Sequence, residues 1–268
     1  MKRILLFLIS VLIFNLAVAD KKNVLVIIGE DDYLTKKTLP YLYEEHLKDQ
    51  FNFSYAISSN ENRHYLNNLD EIEKADLVVL SIWRMALSEK QFNQIDNYIK
   101  SVKPLLVLKT STHGFSLRPT HEVPANSKQW PGFDEEILGC KYDGHYSSAY
   151  STDVTFDPKN KTSKLVSGLK GFNCRSWLYK VKPLADDANV LMWGKTNEGE
   201  AQPVTWTRKN KFGGEVLVTT LGHSEDFLSK DFQEFFYRSI FCLLKEDIPK
   251  NQFEEKLFGN YLEDNFPF

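Results

Sequence analysis

Four short polar stretches hold the residue types that proton transfer or metal binding needs. They are Glu30-Asp31-Asp32-Tyr33, Ser81 to Arg84, Thr110 to His113 and Gly222-His223-Ser224. Each follows an apolar run that reads as a strand. Carboxylates and imidazoles that converge can act as acid and base or hold a metal. His113 and His223 are the sharpest candidates, because each has a glycine beside or before it that lets backbone approach a ligand. His145, behind Gly144, is a third. Glu30 is the expected acid–base partner, with Asp31 and Tyr33 as hydroxyl-binding groups. Arg84 could hold a carboxylate or a hydroxylated ligand. Trp130, before Pro131-Gly132, could stack on a sugar ring, and Asp143 could orient His145 or bind a ligand hydroxyl. A divalent metal is the cofactor these groups suit, with His113, His145, His223 and Glu30 as candidate ligands. Each residue also has a plainer reading. Turns need polar side chains for their own backbone, and a tryptophan can lid a core.

Nucleophile chemistry lacks its usual address. The chain contains no GxSxG, GxCxG, HExxH, GxGxxG or phosphate loop. Ser111 stands in the turn after Leu108, without an elbow glycine before it. A thiol hydrolase using Cys140 would require that cysteine beside His113.

The elements that must position these residues alternate along the chain. Asn23 to Gly29, Phe51 to Ile57, Asp76 to Ser81 and Pro104 to Leu108 read as strands, most of them apolar enough to be buried on both faces. Between them, Leu39, Leu42, Tyr43, His46 and Leu47 recur at helical spacing, with Thr38 as a cap and Pro40 in the first turn. Ser88 to Gln91 has the pattern of a capping box before the apolar face of Phe92, Ile95, Ile99 and Val102. Such alternation predicts a mostly parallel sheet covered by helices, and ligand sites then lie at the carboxyl ends of the strands. Phe115 to Trp130 has little periodicity, and Phe133 to Leu138 could form a short helix. Val154 to Phe156 and Ala188 to Trp193 read as strands. Pro203 to Thr207 and Glu215 to Thr220 read as an antiparallel hairpin, and Ser229 caps a final helix carrying Phe232, Phe235, Phe236, Ile240 and Leu243.

Lys2-Arg3, the apolar run Ile4 to Phe14 and Ala17-Val18-Ala19 together make residues 1–19 an expected export signal. Its removal takes away two positive charges and no acid, moving the net charge from −3 to −5. That balance gives no reason to expect nucleic acid or, after cleavage, a membrane as partner. Residues 20–246 are expected to form one α/β domain, with 247–268 as a tail. Cys140 and Cys174 could form a disulfide in an oxidising compartment, whereas Cys242 reads as a buried small hydrophobe.

Five stretches then stand out: GEDDYLTKKTLP (29–40), KPLLVLKTSTHGF (103–115), WPGFDEEILG with its following GH (130–139, 144–145), PLADDANVLMWG (183–194) and PVTWTRKNKFGGEVLVTTLGHSEDF (203–227). In order and spacing the chain resembles the ThuA-like proteins, named for trehalose utilisation, and in particular their exported bacterial members. The resemblance covers most of residues 23–245. It implies a flavodoxin-like three-layer α/β sandwich of the class I glutamine amidotransferase-like superfamily, and a tie to sugar utilisation. Active amidotransferases carry a cysteine on the turn after the central strand. Residues 110–113 hold none, so that activity is not expected here. Glu30, Asp31, Tyr33, Arg84, His113, His145 and His223 match the family's recurring polar positions. Cys140 departs from it, standing where a second glycine is usual, and Trp83 and Met85 flank Arg84 where more basic residues are usual. The expectation is a protein acting on a carbohydrate or a derivative of one, by acid–base or metal-assisted hydrolysis or elimination. The alternative is a non-catalytic sugar-binding or scaffold protein on the same fold.

Overall fold

The uninterrupted apolar runs become the middle of a ten-stranded sheet. The computed structural model describes residues 20–147, 151–175 and 177–249. The expected export signal and the tail beyond residue 249 lie outside the described residues. In chain order the first elements are β1 (Asn23–Gly29), α1 (Thr35–His46), β2 (Asn52–Ser58), β3 (Leu66–Asn67) and β4 (Leu77–Ile82). Next come β5 (Leu87–Ser88), α2 (Glu89–Lys100), β6 (Leu105–Leu108), β7 (Ser127–Lys128), β8 (Thr152–Phe156) and β9 (Phe172–Cys174). The last are β10 (Asn189–Lys195), β11 (Gln202–Lys209), β12 (Glu215–Thr219) and α3 (Lys230–Leu244).

The sheet order is β3-β2-β1-β4-β6-β12-β11-β10-β8-β9. The pairs β2–β1, β1–β4, β4–β6 and β6–β12 are parallel, and the remaining pairs are antiparallel. The expected hairpin is present, with Trp206 opposite Val218. It is the start of a larger antiparallel wing that continues through β10, β8 and β9.

Alternate residues of each central strand feed two cores. Val24, Val26, Ile28, Leu106 and Leu108 pack with α1 and α3 through Leu39, Leu42, Phe235 and Ile240. Leu25, Ile27, Leu105 and Val107 pack on the other face with Ile95 and Ile99 of α2 and with Ile137 and Trp206. The result is the three-layer, flavodoxin-like architecture. Each buried aliphatic side chain contributes about 1.5–3 kcal/mol. Double-faced burial therefore holds the central strands, and the polar turns beyond them are free to serve a site.

Local details differ from the sequence reading at two caps. Helix α1 begins at Thr35, three residues before Thr38, because Leu34 adopts a left-handed conformation (φ 57°) and the Glu30 carboxylate accepts from the Thr35 amide. Thr38 caps nothing, and its buried hydroxyl has no hydrogen-bond partner. Ser88 does cap α2, accepting from the Gln91 amide at 3.4 Å. The Gln91 side chain does not close the box. It accepts from the Leu66 amide (3.1 Å) and donates to the Leu66 carbonyl (2.6 Å), fastening edge strand β3 to α2.

Cys140 and Cys174 are buried, and neither is in a disulfide. They belong to the cores on opposite faces of the sheet, which prevents the disulfide that the sequence left open.

Candidate functional site

The turn after β6 is fastened to β4 by its hydroxyls. Thr110 Oγ1 donates to the Ile82 carbonyl at 2.8 Å. Ser111 Oγ donates to the Leu80 carbonyl (2.9 Å) and accepts from the Ile82 amide (2.9 Å). With its lone pair and proton both engaged and no exposed surface, Ser111 is an anchor and not a nucleophile. Gly114 follows because a Cβ there would stand 2.5 Å from the Ile82 side chain.

Lys109 opens this turn with φ at 44°, a left-handed conformation that a side chain adopts only under tertiary constraint. Its side chain is fully buried. Nζ lies 4.9 Å from the centre of the Tyr33 ring and 4.7 Å from that of Tyr179, and 3.5 Å from the Thr220 carbonyl oxygen. Burial lowers its pKa to about 8, against an upward pull from Asp226, Cys174 and Glu30. Two aromatic faces thus carry a cation that forms no ion pair among the described residues.

The first and last strand ends flank Lys109. Glu30 is buried, and its carboxylate accepts from the Tyr33 amide (2.8 Å), the Thr35 amide (3.1 Å) and the Thr35 hydroxyl. Burial raises its pKa, and those hydrogen bonds work the other way. After β12, Gly222 (φ 123°) turns the chain, and one oxygen of Asp226 accepts from the amides of Gly222 (2.8 Å) and His223 (2.9 Å). His223 Nδ1 accepts from the Glu225 amide at 3.2 Å, so the neutral ring carries its proton on Nε2. The His223 ring meets Tyr33 edge-on at 5.6 Å.

The irregular middle of the chain closes the site. Residues 140–146 run antiparallel to 178–184 through bridges at Cys140–Leu184 and His145–Tyr179. This pairing brings Tyr142, His145 and Tyr179 to the strand ends. His113 stacks on Tyr142, with centroids 4.0 Å apart and planes 26° apart, and lies 5.8 Å from Tyr179. Tyr179 also lies 5.1 Å from Tyr142. His145 sits exposed at the edge of this cluster, 6.1 Å from the Tyr179 ring and 4.4 Å from the Trp177 ring. Burial, followed by Arg84, Arg118, His145 and Lys109, lowers the pKa of His113 to about 3. His113 is therefore a neutral imidazole at physiological pH, and its Nδ1 lies 3.2 Å from the Thr112 hydroxyl.

Beside His113 opens a cavity of about 210 Å³ lined by Arg84, Thr112, Phe115, Ser116, Trp130, Pro131, Phe133, Asp134 and Tyr142. Arg84 (φ 46°) donates from one terminal nitrogen to the Ser116 carbonyl at 2.9 Å, and its buried Nε has no partner. Asp134 accepts from the Tyr142 amide at 3.1 Å, and burial raises its pKa. Trp130 leans on Phe133 (5.5 Å) and Phe92 (5.8 Å) and donates from Nε1 to Glu136 at 3.3 Å. Among the described residues larger cavities, of about 470, 480 and 290 Å³, lie elsewhere, around Val216 and Leu243, around Pro183 and Trp193, and around Ile72 and Tyr98. None of these includes a residue of the strand-end turns, so the smaller cavity is the one the chemistry surrounds.

A family model described as ThuA, trehalose utilisation, matches residues 23–241. The chain belongs to this family. Membership ties it to carbohydrate utilisation. ThuA-like proteins from Bacteroides uniformis and Parabacteroides merdae have similar structures, each with a TM-score of 0.62 and 13% identity. They cover 85% and 87% of this chain, and 92% and 94% of their own chains are matched. The N-terminal domain named mmIFT52 is matched over its whole length, with a TM-score of 0.52, 13% identity and 85% of this chain covered. At such identities the likeness shows the fold alone. No curated protein matches.

Within this ThuA fold the expected site residues separate. His113, Arg84 and Trp130 share the cavity. Tyr33 and His223 meet each other on the far side of Lys109. Glu30 is occupied by the start of α1, and no contact joins it to either histidine, so the expected pairing of Glu30 with His113 or His223 is not formed. Asp31 is a surface residue paired with Lys36 at 2.6 Å. Asp143 is exposed, and its amide donates to the Lys180 carbonyl. His145 contributes from the rim, with Nδ1 2.9 Å from the Tyr146 carbonyl oxygen. Among the described residues no three of His, Cys, Asp and Glu come together as metal ligands, so His113, His145, His223 and Glu30 do not form the expected cage. Cys140 is buried in the core with Ile137 and Trp206 and does not line the cavity beside His113, and burial raises its pKa, which overturns the thiol-hydrolase reading.

Sequence reasoning missed Lys109, Asp134, Tyr142 and Tyr179. A lysine closing a run of buried aliphatic residues was a legible signal for the first, since lysines are seldom fully buried. The two tyrosines gave none, because their placement depends on the pairing of two irregular segments.

Proposed function

We propose that the protein is exported and binds a carbohydrate in the cavity between the Lys109–His113 turn, Trp130 and Tyr142. One observation carries this reading: aromatic surface from Trp130, Phe115, Phe133 and Tyr142 lines the same cavity as Arg84, His113 and Asp134. A sugar ring offers an apolar C–H face and a rim of hydroxyls, and this wall has a partner for each. The volume of about 210 Å³ suits a single ring, being below the roughly 300–1,000 Å³ of drug-sized pockets. Export rests on Lys2-Arg3, the apolar run after them and Ala17-Val18-Ala19. Titration calorimetry of the purified protein against monosaccharides and disaccharides tests the binding. Affinity should fall at least about 10-fold in both His113→Ala and Trp130→Leu. Binding that survives both substitutions intact removes the reading.

A second reading, acid–base elimination or hydrolysis, draws on the opposed environments of two groups in that cavity. Asp134 is held above the usual carboxylate range and His113 below the usual imidazole range. Burial thus disposes Asp134 to give a proton, while neutral His113, too weak a base to take one at neutral pH, can accept a hydrogen bond from a ligand hydroxyl. Product formation followed by NMR, abolished in Asp134→Asn while ligand affinity persists, would separate catalysis from binding alone.

A further inference from the structure

Arg84 lines this cavity, and among the described residues no carboxylate pairs with it. Among the described residues Arg63, Arg84 and Arg118 take part in no ion pair, although the chain as a whole is net negative at −3. Arg63 and Arg118 flank Trp83, with guanidinium carbons 4.8 and 5.7 Å from its ring, and Arg63 donates to the Trp83 carbonyl at 2.6 Å. Arg84, the next residue, lines the cavity itself. One of its terminal nitrogens is engaged by Ser116, while its buried Nε is unpartnered. Asp134 lines the same cavity without pairing with Arg84, and its carboxylate accepts from the Tyr142 amide. The cavity therefore holds a guanidinium and a carboxyl group that do not pair with each other. A guanidinium on the cavity wall with no protein carboxylate as partner matches a carboxylate ligand. The opposite carboxylate matches hydroxyl donors.

Resting on the carbohydrate reading above, we infer that the ligand is a sugar acid, a uronate or aldonate whose carboxylate meets Arg84 and whose hydroxyls meet Asp134. Arg118, close enough to Arg84 and His113 to disfavour further positive charge on either, adds to the positive potential that attracts an anion to them. Neutral His113 and the Tyr142 face complete the wall without adding negative charge.

The test uses matched pairs on the wild-type protein: glucose with glucuronate and gluconate, galactose with galacturonate, and lactate as a carboxylate that is not a sugar. The acid should bind about 10- to 100-fold more tightly than its neutral partner, as expected for a charge-assisted hydrogen-bonded pair. That preference should shrink as salt is raised. Arg84→Gln should reduce the acid's affinity to that of the neutral sugar, and Arg84→Lys should retain part of the preference. Equal affinity for acid and neutral sugar overturns this inference and leaves the carbohydrate reading standing. Lactate bound as tightly as the sugar acids overturns both, and so does a lack of binding by any sugar. The wild-type ratio needs no variant, so the test holds even where Arg84→Gln does not fold.

Discussion

Replacing Lys109 by methionine removes a buried charge while keeping most of the aliphatic volume, and its consequence can be worked from the structure. The amine's pKa falls from 10.5 to about 8 because burial disfavours the ammonium form. That drop corresponds to about 3 kcal/mol of cost for holding the charge in the folded state. Below the folded value, folded and unfolded chains are both protonated and the whole cost is present. Between about 8 and 10.5 the unfolded chain binds the proton that the folded chain has released. Wild-type stability therefore rises with pH across that window. Lys109→Met has no such proton to release. From about pH 7 to about pH 9.5 the wild type should gain about 2 kcal/mol relative to the variant. Urea denaturation followed by tryptophan fluorescence at several pH values reads the difference directly. The phenols and other titrating groups are common to both proteins and largely cancel. Parallel stability profiles, within about 0.5 kcal/mol, would refute the reasoning. They would mean that the faces of Tyr33 and Tyr179 hold the ammonium charged throughout.

Three other outcomes follow from the site. Glu30→Ala should cost about 2–3 kcal/mol of stability, since it strands the buried amides of Tyr33 and Thr35. It should leave ligand affinity nearly unchanged, and a large loss of affinity at unchanged stability would return Glu30 to the site. His113→Phe retains the stack on Tyr142 and removes an imidazole whose pKa is lowered from 6.5 to about 3. The unfolded wild type binds that proton first, so wild-type stability should fall more steeply than the variant's as pH drops below 6.5. Equal acid slopes in denaturant titrations would count against the burial of His113. Finally, unfolding without reductant should release all three thiols for alkylation, because none of Cys140, Cys174 and Cys242 is in a disulfide. A mass showing one alkylated thiol would place Cys140 and Cys174 on one face of the sheet.

Much of the fold was legible because its signals are local. Asn23 to Gly29, Asp76 to Ser81 and Pro104 to Leu108 are apolar runs of strand length, and both-face burial in a parallel sheet permits little else. Period and turn composition likewise marked α2, α3 and the β11–β12 hairpin. Boundaries moved where a side chain from another turn intervened, as when Glu30 drew the start of α1 back to Thr35.

The site was legible in part. Placing polar turns at strand ends nominated His113 and Arg84, because strand direction is set by the order of elements, and the two share a cavity with Trp130 of the irregular middle. The same rule nominated Glu30, whose lone pairs the neighbouring helix start consumes, and Asp31, which Lys36 holds at the surface. By itself, then, the sequence determined the family, the parallel sheet and the edge at which ligands meet the protein. Only the tertiary structure decided which side chains face one another there. Lys109 lies between Tyr33 and Tyr179, and His113 lies on Tyr142, because two aperiodic segments pair across the strand ends. That pairing is a long-range contact between stretches with no period of their own, so no local pattern records it.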